Sequence, residues 1–224
     1  MKLYGHPAST VSRPVAFFAA DNGIPLEHVV VDLFTGEQYG PAFTAINPNN
    51  AVPVLEDGDF RLTESSAILK YLADKVGSPT YPKDLRRRAE VNAAMDWFNT
   101  GFYRTLGYGL CYAQLLDPYK LADPTGQAQA LAAARAAAER QLGILDRGML
   151  GNGRPFVCGA DITLADYFGS GILSLGAVIG CTYAAWPNVV AWYERLKARP
   201  GWPAGNAGLQ AWVDLARGPD YVRL

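Results

Sequence analysis

The sequence predicts a small α/β unit followed by an all-helical unit. Strand and helix patterns alternate over the first 76 or so residues in the order βαβ-ββα, whereas helical periodicity prevails after them. Two prolines and a glycine in the segment 77–82 separate the two parts, because these residues interrupt regular structure. We therefore predict an α/β domain at 1–76, a linker at 77–85 and an all-α domain at 86–224.

The first domain opens with a parallel crossover. We predict a strand at 2–6, a helix at 12–22 that ends at Asn22-Gly23, and a strand at 26–33. Three consecutive valines in the second strand are typical of a buried strand. A strand, a helix and a strand within about 30 residues form a parallel βαβ unit.

A hairpin and a helix complete this domain. After a short helical piece at 38–45, Asp57-Gly58 stands between two apolar runs, as in tight hairpins. Residues 64–76 then repeat apolar side chains along one helical side.

The second domain is predicted to contain helices at 86–112, 125–149 and 187–198. Between the last two, Thr163 begins a further helix, and Asp166 follows at the position of a capping box. No charge occurs from residue 167 to 193, but polar residues and a proline interrupt this stretch, which predicts a buried helix and not a membrane span. The tail from residue 199 is rich in proline and glycine and contains Trp202 and Trp212.

Composition excludes several functional classes. The 20 Lys+Arg against 21 Asp+Glu provide no overall field that would attract nucleic acid or an anionic membrane. The three cysteines form no Cys-x-x-Cys and there are only two histidines, so neither a metal site nor a dithiol redox centre is predicted. The first residues lack the apolar run of a signal peptide, and a cytoplasmic location is expected.

Four segments match, in order and in spacing, the motifs of a known family. They are the opening Tyr4–Arg13, Asn47–Pro53, Thr63–Ile68 and the capping segment Thr163–Asp166. With them, nearly the whole chain resembles the glutathione S-transferase family, in particular bacterial members of its serine-type phi and theta branches. The resemblance implies a thioredoxin-like first domain, an all-α second domain, glutathione as co-substrate with no metal, and a homodimer.

Ser9 is the candidate catalytic residue. It precedes the first predicted helix, where the helix amides and a hydroxyl both favour an anion. The resemblance implies that Ser9 stabilises the thiolate of glutathione. By its position alone Ser9 could instead cap the helix, as Ser12 could. Tyr4 is a second candidate hydroxyl, but its spacing from Arg13 assigns it to the core of the strand.

The resemblance also implies a glutathione-binding set that includes Ser9 itself. Val52, ahead of a cis Pro53, would offer its backbone to the cysteinyl part of the tripeptide. Glu64 and Ser65 would hold the γ-glutamyl end, and Gln38 would contact the glycine end.

This chain departs from the family at the glycine end of the tripeptide. Relatives commonly carry a histidine and a lysine where this chain has Gln38 and Tyr39, and a lysine or glutamine where it has Ala51. A charge-assisted hydrogen bond contributes about 1.5 to 3 kcal/mol. Glutathione binding about tenfold to a hundredfold weaker is therefore expected, unless Asn49 or Asn50 compensates.

An apolar pocket for the second substrate is predicted beside Ser9. Its candidate residues are Pro7, Phe34, Phe102, Tyr103, Tyr108 and Tyr112. Few polar groups and hydrophobic walls suit an apolar electrophile. The four aromatic residues of the long helix could equally form interhelical core.

The predicted function is the addition of the glutathione thiolate to a small apolar electrophile, by conjugation or dehalogenation. The alternative is a binding protein with the same fold that carries an apolar ligand without turnover. A thiol-disulfide reductase is disfavoured, because none of the cysteines lies in the first domain.

Overall fold

The computed structural model describes all 224 residues and contains one four-stranded sheet. Its strands are β1 (Lys2–Gly5), β2 (Glu27–Val30), β3 (Val54–Asp57) and β4 (Phe60–Thr63), in the order β2-β1-β3-β4. β1 runs parallel to β2, and β3 runs antiparallel to both β1 and β4. The predicted βαβ-ββα unit and its hairpin are thus confirmed.

Three helices belong to the sheet. They are α1 (Ser12–Asp21), α2 (Pro41–Thr44), which follows a short 3-10 turn, and α3 (Ser65–Val76). The apolar side of α3 is fully buried at Ile68, Leu69 and Leu72, as its periodicity predicts.

All regular structure after α3 is helical. The elements are α4 (Leu85–Asp96), a π-helical segment Trp97–Tyr112, α5 (Ala113–Leu115), α6 (Pro124–Gly143), a second π-helical segment Ile144–Met149, α7 (Leu164–Ser174), α8 (Pro187–Lys197) and α9 (Trp202–Leu215). One hydrophobic core of 44 buried residues runs through both halves of the chain, so the sheet and the helices share a single interior. None of these helices has the length and hydropathy that crossing a bilayer requires.

One expectation is wrong. β2 is shorter than predicted and is not buried, since it lies at the edge of the sheet and Val30 is 56% exposed. In the tail, the helix α9 occupies most of the proline- and glycine-rich segment. A Cβ on Gly205 would lie 2.5 Å from Phe17, and one on Gly208 would lie 2.5 Å from Pro7. The glycines therefore serve close packing of α9 onto the first domain.

The long predicted helix changes its hydrogen-bond pattern at Trp97 and continues with the wider turns of a π-helix. A Cβ on Gly107 would lie 2.3 Å from the ring of Tyr103, so only glycine admits that ring. Wide π-helical turns occur often at functional sites.

The capping box of α7 is present as predicted. The Asp166 side chain is fully buried and accepts four hydrogen bonds: from the amides of Val157 (2.9 Å) and Thr163 (2.8 Å), the Thr163 hydroxyl (3.0 Å) and Trp192 Nε1 (2.9 Å). Burial raises the pKa of the Asp166 carboxyl, and these hydrogen bonds oppose that shift.

Candidate active site

A cleft of about 270 Å³ lies between the first domain and the π-helical segment. On one side it is lined by Val11 and by residues of the loops 47–53 and 63–65. Asn99, Tyr103 and Tyr108 line the other side. The structure therefore brings the predicted residues Val52, Pro53, Glu64 and Ser65 together with two of the predicted tyrosines.

The loop that carries Val52 is held in place by a buried asparagine. Asn47 Nδ2 donates to the Ala51 carbonyl (2.7 Å), and Asn47 Oδ1 accepts from the Asn49 amide (3.0 Å). The Val52–Pro53 peptide bond is cis. The backbone N–H and C=O of Val52 have no hydrogen-bond partner within the chain, so they can pair with an extended peptide.

Glu64 precedes α3 with an unusual backbone conformation. Its φ of 67° lies in the left-handed region, which costs about 1 to 3 kcal/mol for a residue other than glycine and is found often at ligand sites. The Glu64 carboxylate forms no ion pair, and Ser65 lies buried at the start of the helix. A free carboxylate beside helix amides can bind an ammonium group and a carboxylate together.

Ser9 lies on the loop between β1 and α1. Its amide donates to the His6 carbonyl (2.9 Å), and its Oγ accepts from the Ser12 amide (3.2 Å). The Ser9 hydroxyl donates its proton to no group of the chain. Ser9 is only 8% exposed and does not itself line the cleft, although Val11, two residues later, does. Capping and catalysis are therefore compatible, because the cap uses the oxygen and leaves the proton free.

A chain of hydroxyls connects the π-helical segment to the residue beside Ser9. Tyr112 donates to Thr10 Oγ1 (2.8 Å), and the hydroxyls of Tyr103 and Tyr112 are 2.8 Å apart. Since Tyr112 has given its only proton to Thr10, Tyr103 must donate to Tyr112. Burial raises the pKa of Tyr112 to about 12 and that of Tyr103 well above its usual value, so both tyrosines stay protonated at neutral pH.

Aromatic rings extend from this chain to the first domain. The ring centroids of Phe34 and Trp212 are 6.5 Å apart, those of Trp212 and Tyr112 are 6.4 Å apart, and those of Tyr108 and Tyr112 are 5.3 Å apart. Trp212 lies on α9 and was not among the predicted pocket residues, because its contacts are with residues distant in the chain. It connects Phe34 to the tyrosines of the second domain.

Four of the six predicted pocket residues do not line the cleft. Phe34 and Tyr112 belong to the row of aromatic rings beside it, and the other two lie elsewhere. Phe102 is fully buried and stacks on Trp97 at 5.7 Å, so it belongs to the core, which is one of the two interpretations that the sequence allows. Pro7 packs against Gly208 of α9 and lines a different cavity.

The comparisons with known proteins agree with this geometry. Residues 1–74 match the glutathione S-transferase N-terminal domain, and residues 111–200 match the C-terminal domain. Human glutathione S-transferase theta-1 is 36% identical over 204 residues, which cover 90% of this chain and 84% of the relative. The chain belongs to the glutathione S-transferase family. It is thus an enzyme, a glutathione transferase.

Further theta-class relatives show sequence identity and structural similarity to this transferase at a comparable level. Human theta-2 is 37% identical, with 88% of this chain and 81% of the relative covered. The crystal structure of human theta-2 in complex with glutathione superposes with a TM-score of 0.86 at 32% identity, covering 98% of this chain and 94% of that one. Human T1-1 in its apo form gives a TM-score of 0.85 at 32% identity, with 98% and 92% covered. The likeness to bacterial and phi members stays a prediction.

The cleft of this transferase contains little positive charge. Glu64 is the only charged side chain that lines it, and no lysine or arginine does. Gln38 is buried outside the lining, and its Oε1 has no hydrogen-bond partner. Tyr39 is exposed. The departures noted in the sequence thus coincide with a cleft that lacks a cation.

Proposed function

We propose that this transferase adds the sulfur of glutathione to a carbon atom of a small apolar electrophile, by conjugation or by displacement of halide. The observation that carries this proposal is the free proton of the Ser9 hydroxyl at the start of α1, beside a cleft with an unpaired Val52 backbone and an unpaired Glu64 carboxylate.

Ser9 acts by favouring the charged form of the sulfur. A thiol with a pKa near 8.5 is mostly protonated at neutral pH. The Ser9 hydroxyl already accepts from the Ser12 amide, which polarises its O–H bond as a donor. A hydrogen bond donated to the thiolate lowers the pKa of the glutathione thiol. Each unit of that change corresponds to about 1.4 kcal/mol of preferential stabilisation of the thiolate. The sulfur then attacks the electrophile and the leaving group departs, or the sulfur adds to a double bond.

The remaining residues orient the two substrates. The Val52 backbone aligns the cysteinyl part, Pro53 shapes that loop, and Glu64 with Ser65 binds the γ-glutamyl end. The glycine end is assigned to Asn49, which lines the cleft, and not to Gln38, which is buried outside it. The apolar electrophile contacts a wall formed by Phe34, Trp212, Tyr112, Tyr108 and Tyr103.

A binding protein without turnover is the second candidate, and the lack of a cation in the cleft favours it. Titration of the purified protein with glutathione separates the two. We expect ultraviolet thiolate absorbance to appear on binding at a pH about two units below the pKa of the free thiol. Saturable binding without thiolate absorbance would leave a carrier or a wrongly assigned serine. No binding at millimolar glutathione would contradict the transferase and leave the carrier of an apolar ligand.

Restoring a cation should strengthen glutathione binding. Ala51 is exposed and lines the cleft, so a lysine can replace it without disturbing the core. We expect Ala51→Lys to lower the KM for glutathione about tenfold, because one charge-assisted hydrogen bond to a carboxylate is gained. An Ala51→Met variant, similar in length and uncharged, is the control. An equal effect of both variants would assign the gain to packing and not to charge.

A homodimer is the family expectation, and we propose it for this chain. Phe60, beside the hairpin turn, is 44% exposed and presents an apolar ring to solvent. Light scattering coupled to size-exclusion chromatography should give about twice the chain mass of 24.2 kDa. We expect Phe60→Ser to shift the population towards monomer, whereas a monomeric parent protein would contradict the proposal.

We also propose that the protein works in the cytoplasm. Cys111, Cys158 and Cys181 are all free thiols, which suits a reducing compartment. Burial raises the pKa of each of them, which disfavours the reactive thiolate at neutral pH.

A further inference from the structure

The charge of the glutathione cleft does not match the charge of glutathione. Glu64 is the only charged side chain of the lining. No lysine or arginine occurs between Arg13 and Arg61, a stretch that contains the whole loop 47–53. Glutathione has two carboxylates and one ammonium group at neutral pH. Ligand and cleft together therefore contain more negative than positive charge.

The positively charged side chains of the first domain do not correct this imbalance. None of them lines the cleft, and they are Lys2, Arg13, Arg61, Lys70 and Lys75. Lys2 and Arg61 pair with Glu56, and Lys75 pairs with Asp57. Arg13 is 2% exposed and donates only to neutral acceptors of the second domain. One carboxylate of glutathione is thus left without a counter-ion in the lining.

The arrangement of polar groups indicates which carboxylate this is. In the proposed binding mode, Glu64 accepts from the ammonium group, and the first amides of α3 donate to the carboxylate beside it. Both charges of the γ-glutamyl end are therefore compensated. The cysteinyl part follows along Val52, and the lining continues from there to Ala51 and Asn49. The glycine carboxylate is the one without compensation.

The groups at the glycine end are neutral. Ala51 contributes only a methyl group. Asn49 is exposed, and its side-chain amide has no hydrogen-bond partner within the chain. A carboxamide can both donate and accept, so it pairs in both directions with a second carboxamide, whereas a carboxylate can only accept from it. Asn49 therefore complements an uncharged amide better than it complements a carboxylate.

The reaction itself adds to the preference for an uncharged end. The thiolate forms in the same cleft, and a like charge nearby disfavours an ionised group. A carboxylate without a counter-ion also loses hydration when it is partly buried, and this loss is larger than that of a neutral amide. An uncharged carboxyl end avoids both costs.

We propose that this transferase binds a γ-glutamyl-cysteinyl-glycine tripeptide with an uncharged carboxyl end, such as a carboxamide, more tightly than glutathione itself, and that Asn49 recognises that end. The inference rests on the proposed function, because it uses the binding mode assigned to Glu64, Ser65 and Val52.

Isothermal titration of the full chain with glutathione and with its C-terminal amide tests the proposal. The two tripeptides differ only in the charge of the glycine end. We expect the amide to have a Kd at least about threefold lower, since one neutral hydrogen bond is gained and one uncompensated charge is removed. A smaller difference, or tighter binding of glutathione, would overturn the inference alone. Failure of both tripeptides to bind at millimolar concentration would contradict the proposed function as well.

Two substitutions at Ala51 show that charge causes the preference. Ala51 is exposed, so neither variant disturbs the core. We expect Ala51→Lys to bind glutathione about tenfold more tightly than the parent does and to reverse the preference, because the lysine pairs with the carboxylate and not with the amide. Ala51→Met, which is uncharged, should keep the ratio of the two Kd values. A preference for the amide that persists in Ala51→Lys would overturn the inference.

Asn49→Ala tests the recognising residue. The Asn49 side chain is exposed and unbonded, and its backbone amide keeps the hydrogen bond to Asn47 Oδ1, so the loop should stay folded. We expect this variant to bind the amide more weakly while its affinity for glutathione changes less, which brings the two Kd values closer together. An unchanged ratio would remove Asn49 from the recognition of the glycine end.

Discussion

Ser9→Ala should lose turnover at acidic pH and recover much of it at alkaline pH. If Ser9 lowers the pKa of the bound thiol by about two units, the variant has about 10- to 100-fold less thiolate near pH 6.5. Above the pKa of the free thiol, about 8.5, the thiolate forms without help. We therefore expect kcat/KM of the variant to rise with pH and to approach that of the parent protein near pH 9.

The pH profile separates this role from a structural one. Loss of the helix cap at the Ser12 amide would cost about 0.5 to 2 kcal/mol of stability at every pH. Ser170→Ala is the matched control, since Ser170 is a buried serine in α7 that bonds only to the Tyr167 carbonyl. A parallel loss at all pH values would show that Ser9 serves the fold alone, and an unchanged rate would remove it from the mechanism.

Asp166→Ala should strongly destabilise the folded protein. It leaves the buried donors of Val157, Thr163 and Trp192 without acceptors. Each unsatisfied buried donor costs about 1 to 3 kcal/mol. Allowing for local relaxation, we expect the free energy of unfolding to fall by about 3 to 5 kcal/mol, which lowers Tm by about 10 °C in a chain of this size.

Asp161→Ala is the control for this substitution. Asp161 is exposed five residues earlier, in the loop before α7, and it makes no side-chain hydrogen bond or ion pair. Its replacement should change the free energy of unfolding by less than about 0.5 kcal/mol. Asp166→Asn should fall between the two, because the amide keeps one acceptor oxygen. A Tm for Asp166→Ala within about 2 °C of the parent would contradict the capping-box account.

Most of the first domain was predictable from the sequence because its signals are local. Asp57-Gly58 specifies a hairpin through backbone conformation, and in the second domain Thr163 with Asp166 specifies a helix start through two hydrogen bonds. Both features are present. The burial of β2 was not predictable, because a run of valines looks the same in a central strand and at an edge.

The glutathione-binding residues could be proposed for a related reason. Val52-Pro53 and Glu64-Ser65 are short motifs, and the roles proposed for them depend on the backbone of Val52 and on the carboxylate of Glu64 beside the amides of α3. The structure adds Asn47, whose side chain holds the loop before Val52. Asn47 belongs to one of the four segments that match the family, so the sequence marks it as notable. Its role in holding the loop depends on side-chain contacts that the sequence does not show.

The sequence by itself determined the order of the elements, the cap of α7 and the motifs proposed to bind glutathione, since each depends on residues close together in the chain. Only the tertiary structure decided where α9 lies and that it packs on the first domain, that Trp212 joins Phe34 to the tyrosines, and that Arg13 is a buried cation. The partners that hold Arg13 and join Trp212 to Phe34 and Tyr112 are about 100 residues or more apart in the chain. Such contacts form only when α9 packs on the first domain, and the glycines that allow this packing look like helix breakers in the sequence.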